Sequence, residues 1–319
     1  MSKWKYTRGL HDLGNAVYAY LQPDGTWGWS NAGIIVDGDT SLLVDTLYDL
    51  KLTGEMLATM RGSLPAAAHI DMLVNTHANG DHCYGNQLVG DARIIASART
   101  AEEMLEVPPE TMAMLVKQAP YLGLLGEYTS RIFGAFDFEN ITPVLPNQTF
   151  ETRLDLHVGA KAVSLLEVGP AHTRGDTLVY VPDDRVVFSG DILFIEGHPV
   201  MWAGPVSNWI RACERILELD VETIVPGHGP ITDKQGVERL KGYWEYLLAE
   251  VRPRHAAGLS PLDAALDIPM DAYAHWSDAE RVVVNVATIY RELNNETEPA
   301  SVPMLFGLMA EYARQKGLL

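Results

Sequence analysis

The chain has 319 residues, 47% hydrophobic and 21% charged, so it can bury a sizeable core and reads as one large domain with an appendage or as two modest ones. Its formal charge of −18, from 42 acidic against 24 basic residues, repels phosphate backbones and argues against nucleic acid as a partner. Cys83 and Cys213 are too few for a disulfide framework, and the first thirty residues, which start with Met, hold no apolar run of signal-peptide or membrane-span length; a cytoplasmic protein without membrane contact is expected.

Apolar runs bounded by turn residues fill the first half. NAVYAYLQ, NAGIIVDG and SLLVDTL, separated by PDG and DGD, predict consecutive antiparallel strands. In the following KLTGEMLATMRGSL, Leu52, Met56, Leu57 and Met60 share one helical face, although Gly54 weakens the start. HIDMLVNTH predicts a buried strand ending at the histidine, and ARIIAS, residues 92–97, another. Residues 99–140 carry helical periodicity dense in Met, Tyr and Phe and broken by Pro108, Pro109 and Pro120; this helical insertion either walls a pocket or fills ordinary core.

Strand signals return in VLPNQTFETRLDLHVGAKAVSLLEVG, TLVYVPDDRVVFSG and TIVPGHG, then stop near residue 235. Residues 1–235 are therefore expected to form the main domain and 236–319 a C-terminal helical extension, a candidate surface for homo-oligomerisation. Within it, SDAERVVVNVATIYRELNN has Glu280 three residues after Ser277, the signature of a capping box.

Four strand ends offer metal donors, each near a glycine or proline: NTHANGDHCYGN gives His77, Asp81 and His82; VGPAHTRGD gives His172; VVFSGDILF gives Asp191; IVPGHGP gives His228. Donors that leave rigid strands on short loops are held near their required geometry at little entropic cost. A single histidine is more often a satisfied surface or core residue, but this order and spacing reverse that expectation. Imidazole with carboxylate suits zinc, iron or manganese, and no thiolate set exists for a structural zinc site.

These motifs resemble the metallo-β-lactamase-fold superfamily, whose signature H-x-H-x-D-H is followed by a single His, a bridging Asp and a last His. The positions here read His77, Asn79, Asp81, His82, His172, Asp191 and His228, and the resemblance spans about residues 11–232. It implies an α/β fold, a four-layer αββα sandwich of two mixed sheets with helices outside and the metal site at one edge. It also implies one metal on His77, Asn79 and His172 and another on Asp81, His82 and His228, with Asp191 between them.

Asn79 stands where the signature has its second histidine and offers a carbonyl oxygen in place of an imidazole nitrogen, a poorer donor for zinc. Three readings follow: one metal in the intact site, two metals with one loosely held, or a decayed site. The six other donors favour the first two. Asp45 resembles an aspartate of the family placed to orient a ligand histidine; otherwise it is a turn residue ending a strand. Tyr84, His198, Trp202 and Trp209 are candidates to line the pocket mouth, with His198 a candidate proton donor, or they are core anchors. Cys83 is read as a packing residue beside the ligands.

A divalent metal with an open position lowers the pKa of bound water from about 15.7 toward about 7. The expected activity is hydrolysis of an ester, thioester, lactone or amide in a small, partly apolar substrate, with Asp81 orienting the nucleophile and Asp191 bridging one or two divalent ions, zinc first. A β-lactamase role is discounted, since the drug acts outside the cytoplasm. The rivals are an iron-dependent oxidoreductase of the same fold, for which no flavin domain or rubredoxin-like cysteine set is present, and a non-catalytic protein with a vestigial site.

Overall fold

A computed structural model describes residues 4–296 and 300–319. Among the described residues, seven strands form one mixed sheet in the order of the chain: β1 Gly9–Gly14, β2 Val17–Leu21, β3 Ala32–Asp37, β4 Thr40–Val44, β5 Met72–Val74, β6 Arg93–Ser97 and β7 Gln148–Phe150. Strands β1 to β4 are antiparallel and β4 to β7 parallel. A second mixed sheet holds β8 Arg153–Val158, β9 Lys161–Glu167, β10 Thr177–Val181, β11 Val186–Phe188 and β12 Thr223–Val225, with only β11 and β12 parallel.

The predicted strands read as unbroken apolar runs because both faces are buried. In β3, Ile35 points between the sheets toward the Val179 and Phe188 side, whereas Ile34 and Val36 join the helix-covered face. A side chain at Gly33 would collide with the Phe188 ring, its Cβ 2.1 Å away, so glycine lets the sheets approach there. Two details go beyond the sequence reading. Strand β1 was not predicted, since GLHDLG is a half-exposed edge with a glycine at each end. The strand signals over residues 144–169 divide between the sheets: β7 closes the first sheet, and the chain crosses to the second between Phe150 and Arg153.

Helix α1, Leu50–Ser63, follows β4 and buries Leu52, Met56, Leu57 and Met60, with the Asp49 carboxylate accepting the Leu52 N–H at 2.7 Å as its N-cap. Short helix α2, Gly80–Cys83, carries two of the predicted ligands. Helices α3 Ala98–Glu103, α4 Pro109–Gln118 and α5 Gly123–Phe133 occupy the predicted insertion. Over the second sheet lie α6 Val206–Glu218 and α7 Lys234–Ala256, joined by Trp209 and Trp244, whose fully buried rings are 4.4 Å apart. Trp209 is thus a core anchor, its indole N–H donating to Ile192 O.

Helices α8 Pro261–Asp267, α9 Val282–Leu293 and α10 Val302–Gln315 complete the chain. The expected capping box does not form. Asp278 takes a left-handed backbone, a short 3₁₀ turn precedes α9, and the Glu280 carboxylate points inward to accept from Trp27 Nε1 at 3.0 Å and Tyr128 OH at 3.1 Å. Two buried donors hold that carboxylate more firmly than one exposed N–H would. The insertion both fills core and forms a wall: Tyr128 and Phe133 of α5 pack on Phe306 of α10, which in turn meets Trp27 and Trp202.

Two parallel pairings decide where the donors go. Strands β4 and β5 run side by side, Val44 beside Val74, and β11 and β12 likewise, Phe188 beside Val225. Their C-terminal ends therefore emerge at one edge of the sandwich, as the resemblance implied. The two edges are stitched by the Thr177 N–H to Thr76 O at 2.9 Å and the Asn31 N–H to Gly227 O at 2.7 Å.

Candidate metal centre

Each loop leaving that edge delivers donors to one point. Asp45 follows β4, His77 follows β5, Asp81 and His82 lie on α2, His172 follows β9, Asp191 follows β11 and His228 follows β12. Asp191 is the hub: its Oδ2 lies 3.7 Å from His77 Nε2, 3.3 Å from His172 Nε2 and 3.4 Å from His228 Nε2, and its Oδ1 3.2 Å from His82 Nε2. Asp81 Oδ2 is 3.2 Å from His228 Nε2. Gly227 leaves the space for this, since a Cβ there would sit 1.9 Å from Asp191 Oδ1.

The second nitrogen of every ring is tied down, which sets the tautomer. His82 Nδ1 donates to Asp45 Oδ2 at 2.9 Å, His172 Nδ1 to Val200 O at 2.7 Å and His228 Nδ1 to Gly25 O at 3.1 Å. The Thr76 hydroxyl donates to Asp45 Oδ2 at 2.7 Å, so its oxygen accepts from His77 Nδ1 at 3.0 Å. All four Nε2 atoms consequently face Asp191.

Burial and charge pull these groups apart. Burial lowers His77 well below the usual histidine range, with the neighbouring histidines adding to it, and burial likewise lowers His172. For His228 burial acts the same way, but the Asp191 and Asp81 carboxylates outweigh it and push the ring up to about 9. His82 rises well above its ordinary value despite burial because Asp191, Asp81 and Asp45 surround it. Asp191 and Asp81 are held below the carboxylate range against burial, Asp191 chiefly by His228 and His82, and Asp81 by His82 and His228. Burial raises Asp45, opposed by His82 and Thr76.

The residues fit a metal. His77 Nε2, His82 Nε2 and Asp191 Oδ1 are buried without a hydrogen-bond partner, a costly state for polar atoms unless something else satisfies them. Two triads, His77 with His172 and Asp191, and Asp81 with His82 and His228, each place their donor atoms within 4.8 Å of one another. The mixed imidazole and carboxylate set, with no thiolate, suits a borderline or hard divalent ion. Cys83 turns its thiol toward Ala78 O at 3.6 Å.

Asn79 does not add a donor in this arrangement, for its amide Nδ2 lies 3.0 Å from His172 Nε2. Of the neighbouring candidates, Asp45 touches His82, a candidate ligand, and Trp202 donates its backbone N–H to His172 O at 3.0 Å. Tyr84 and His198 do not reach a pocket mouth. The Tyr84 ring is buried beneath Gly80 with its hydroxyl on Val107 O at 2.8 Å. His198 is 1% exposed, 3.3 Å from Tyr243 OH and edge-on to Trp276, held by the C-terminal helical segment. Sequence reasoning did not single out Thr76, whose position beside His77 was its only signal, nor Gly25 and Val200, which act through backbone carbonyls.

Comparison with known proteins bears on the family and the fold. A beta-lactamase-like protein 2 homolog of Caenorhabditis elegans is 25% identical over 224 residues, 70% of this chain and 63% of that protein. An acyl-coenzyme A thioesterase of Bos taurus is 26% identical over 213 residues, 63% of this chain and 70% of that one. The chain thus spans less than two thirds of the nematode relative's length. Among solved structures, the sec-alkylsulfatase Pisa1 from Pseudomonas sp. is similar with a TM-score of 0.70 at 16% identity, covering 89% of this chain and 50% of that one. A metallo-beta-lactamase from Pontibacter korlensis has a TM-score of 0.54 at 18% identity, covering 75% and 99%; these two likenesses show the fold alone. The family model of the metallo-beta-lactamase superfamily matches residues 25–228, more than half of the chain, and the chain belongs to that superfamily.

Proposed function

We propose that the protein is a metal-dependent hydrolase that cleaves a thioester or ester of a small molecule with an apolar acyl part. The observation that carries the reading is the convergence of four fixed imidazole Nε2 atoms on a buried Asp191 whose Oδ1 has no hydrogen-bond partner. A divalent ion held there supplies a water nucleophile active near neutral pH and a Lewis acid for the carbonyl oxygen. Zinc is the first choice, with iron or manganese compatible with the same donors.

The chain's own residues do the rest. Asp191 would hold an ion together with His77 and His172, and Asp81, at 8% exposure the more accessible carboxylate, would orient the nucleophile from the side where Ala78, Asn79 and Gly80 meet solvent. Half-buried Trp27 and Trp202 flank the site on segments anchored to the ligands, through Gly25 O on His228 and the Trp202 N–H on His172 O. Phe306 lies about equally far from both rings, 6.0 and 5.9 Å. This aromatic wall suits an acyl chain, and the thioesterase among the relatives supports the same bond type.

The test is elemental analysis of the untreated protein, followed by thiol release from acyl-coenzyme A substrates and turnover of activated esters. Asp81→Ala and His228→Ala are expected to abolish both. An iron-loaded protein that consumes oxygen and cleaves none of these substrates would instead favour the oxidoreductase reading.

A further inference from the structure

We propose that Asn79 caps His172 and so makes the two metal positions unequal: Asp81, His82 and His228 take the first ion, whereas His77, His172 and Asp191 take a second only when the Asn79 amide turns away. His172 has one lone pair to give, because its Nδ1 hydrogen is committed to Val200 O at 2.7 Å. Asn79 Nδ2 lies 3.0 Å from that lone pair, at Nε2. An amide NH₂ donates and has no lone pair for a metal, so the amide and an ion compete for one atom. No such competitor faces His77 Nε2 or His82 Nε2, and His228 Nε2 faces the carboxylate of its own co-ligand Asp81.

A second observation concerns the backbone. Asn79 stands at the N-cap of α2, where an asparagine side chain ordinarily accepts an N–H of the first helical turn. Here its main-chain carbonyl accepts from the His82 N–H at 3.0 Å, but the side chain makes no capping bond and reaches across to His172. The side chain is half-buried beside half-buried Ala78 and Gly80. The amide can swing without disturbing α2, and with it the first position, because the helix start is fixed by the main chain.

This inference rests on the metal-binding part of the reading above, and the experiment separates the two. Metal-free full-length protein is titrated with zinc by calorimetry and by competition with a chromophoric chelator, for the wild type, Asn79→Ala and Asn79→Asp. The wild type is expected to bind one ion tightly and a second more weakly. Asn79→Ala should tighten the second ion about 3- to 10-fold, the worth of one hydrogen bond removed from the unbound state. Asn79→Asp, which cannot donate and adds a charged oxygen, should tighten it further, and neither variant should change the first ion. A weaker second ion in Asn79→Ala would show the amide oxygen to be a ligand and overturn the cap, as would two ions of equal affinity in the wild type. No bound ion in any variant would overturn the hydrolase reading as well.

Discussion

Asp45 Oδ2 receives both His82 Nδ1, at 2.9 Å, and the Thr76 hydroxyl, at 2.7 Å, while Asp45 Oδ1 accepts the Thr76 N–H at 2.7 Å. One carboxylate therefore fixes His82 directly and His77 through Thr76. Asp45 does this from a left-handed backbone, φ 61°, a conformation that aspartate tolerates better than most residues. Asp45→Asn keeps the shape and removes the charge. It is expected to weaken zinc affinity about 10- to 100-fold, read by chelator competition, with an unchanged circular dichroism spectrum.

The metal-free protein should lose stability in alkali. His228 is held up to about 9 in the fold by Asp191 and Asp81, above the 6.5 of a free histidine. The folded state therefore binds the proton more tightly, and the resulting stability is full below about pH 6.5 and lost as pH rises through about 9. Denaturant midpoints of chelator-treated protein should fall across that window. Metal uptake near pH 7 should release protons, seen as a buffer-dependent heat.

His198 gives the opposite slope. Burial, with the charge of Arg281, lowers it to about 4. The unfolded chain takes up the proton first, so stability is present above about pH 6.5 and is lost as pH falls through about 4, by about 3 kcal/mol in all. His198→Gln should show a shallower decline in midpoint over the same range.

Arg281 is 1% exposed, with Nη1 on His198 O at 3.0 Å, Nη2 3.1 Å from Asp278 Oδ2 and its guanidinium 4.2 Å over the Trp27 ring. Arg281→Met leaves the half-buried Asp278 carboxylate without its cation partner. A loss of about 3–5 kcal/mol is expected from equilibrium unfolding.

Trp202→Ala and Phe306→Ala should flatten the dependence on acyl length. For long-chain thioesters kcat/KM should drop about 10-fold or more, the worth of a few methylene contacts, with short-chain turnover little changed. Equal losses for short and long chains would place the aromatic wall away from the acyl group.

The candidate donors were legible in the sequence because each loop that carries them follows a short apolar run, and a strand that ends abruptly at a polar residue is a local event. The sandwich was implied by the family resemblance those donors carry, whereas the apolar runs alone, whose two-sided burial removes alternation, indicated strands and not their assignment to sheets. The split of residues 144–169 between the sheets was not legible, since an apolar strand reads alike in either sheet. The capping box failed for a related reason: Ser277 and Glu280 have the right spacing, but Trp27, 253 positions from Glu280 in sequence, and Tyr128 offered the carboxylate better partners.

By itself the sequence determined which side chains could offer donor atoms to a metal and that Asn79 has no imidazole to offer, because side-chain chemistry is fixed by residue identity. Only the tertiary structure decided which lone pairs are free. The Gly25 carbonyl that sets the His228 tautomer lies 203 positions away, and the Asn79 amide on His172 Nε2 comes from 93 positions away. A hydrogen bond depends on distance and direction in space, and neither is encoded in local spacing.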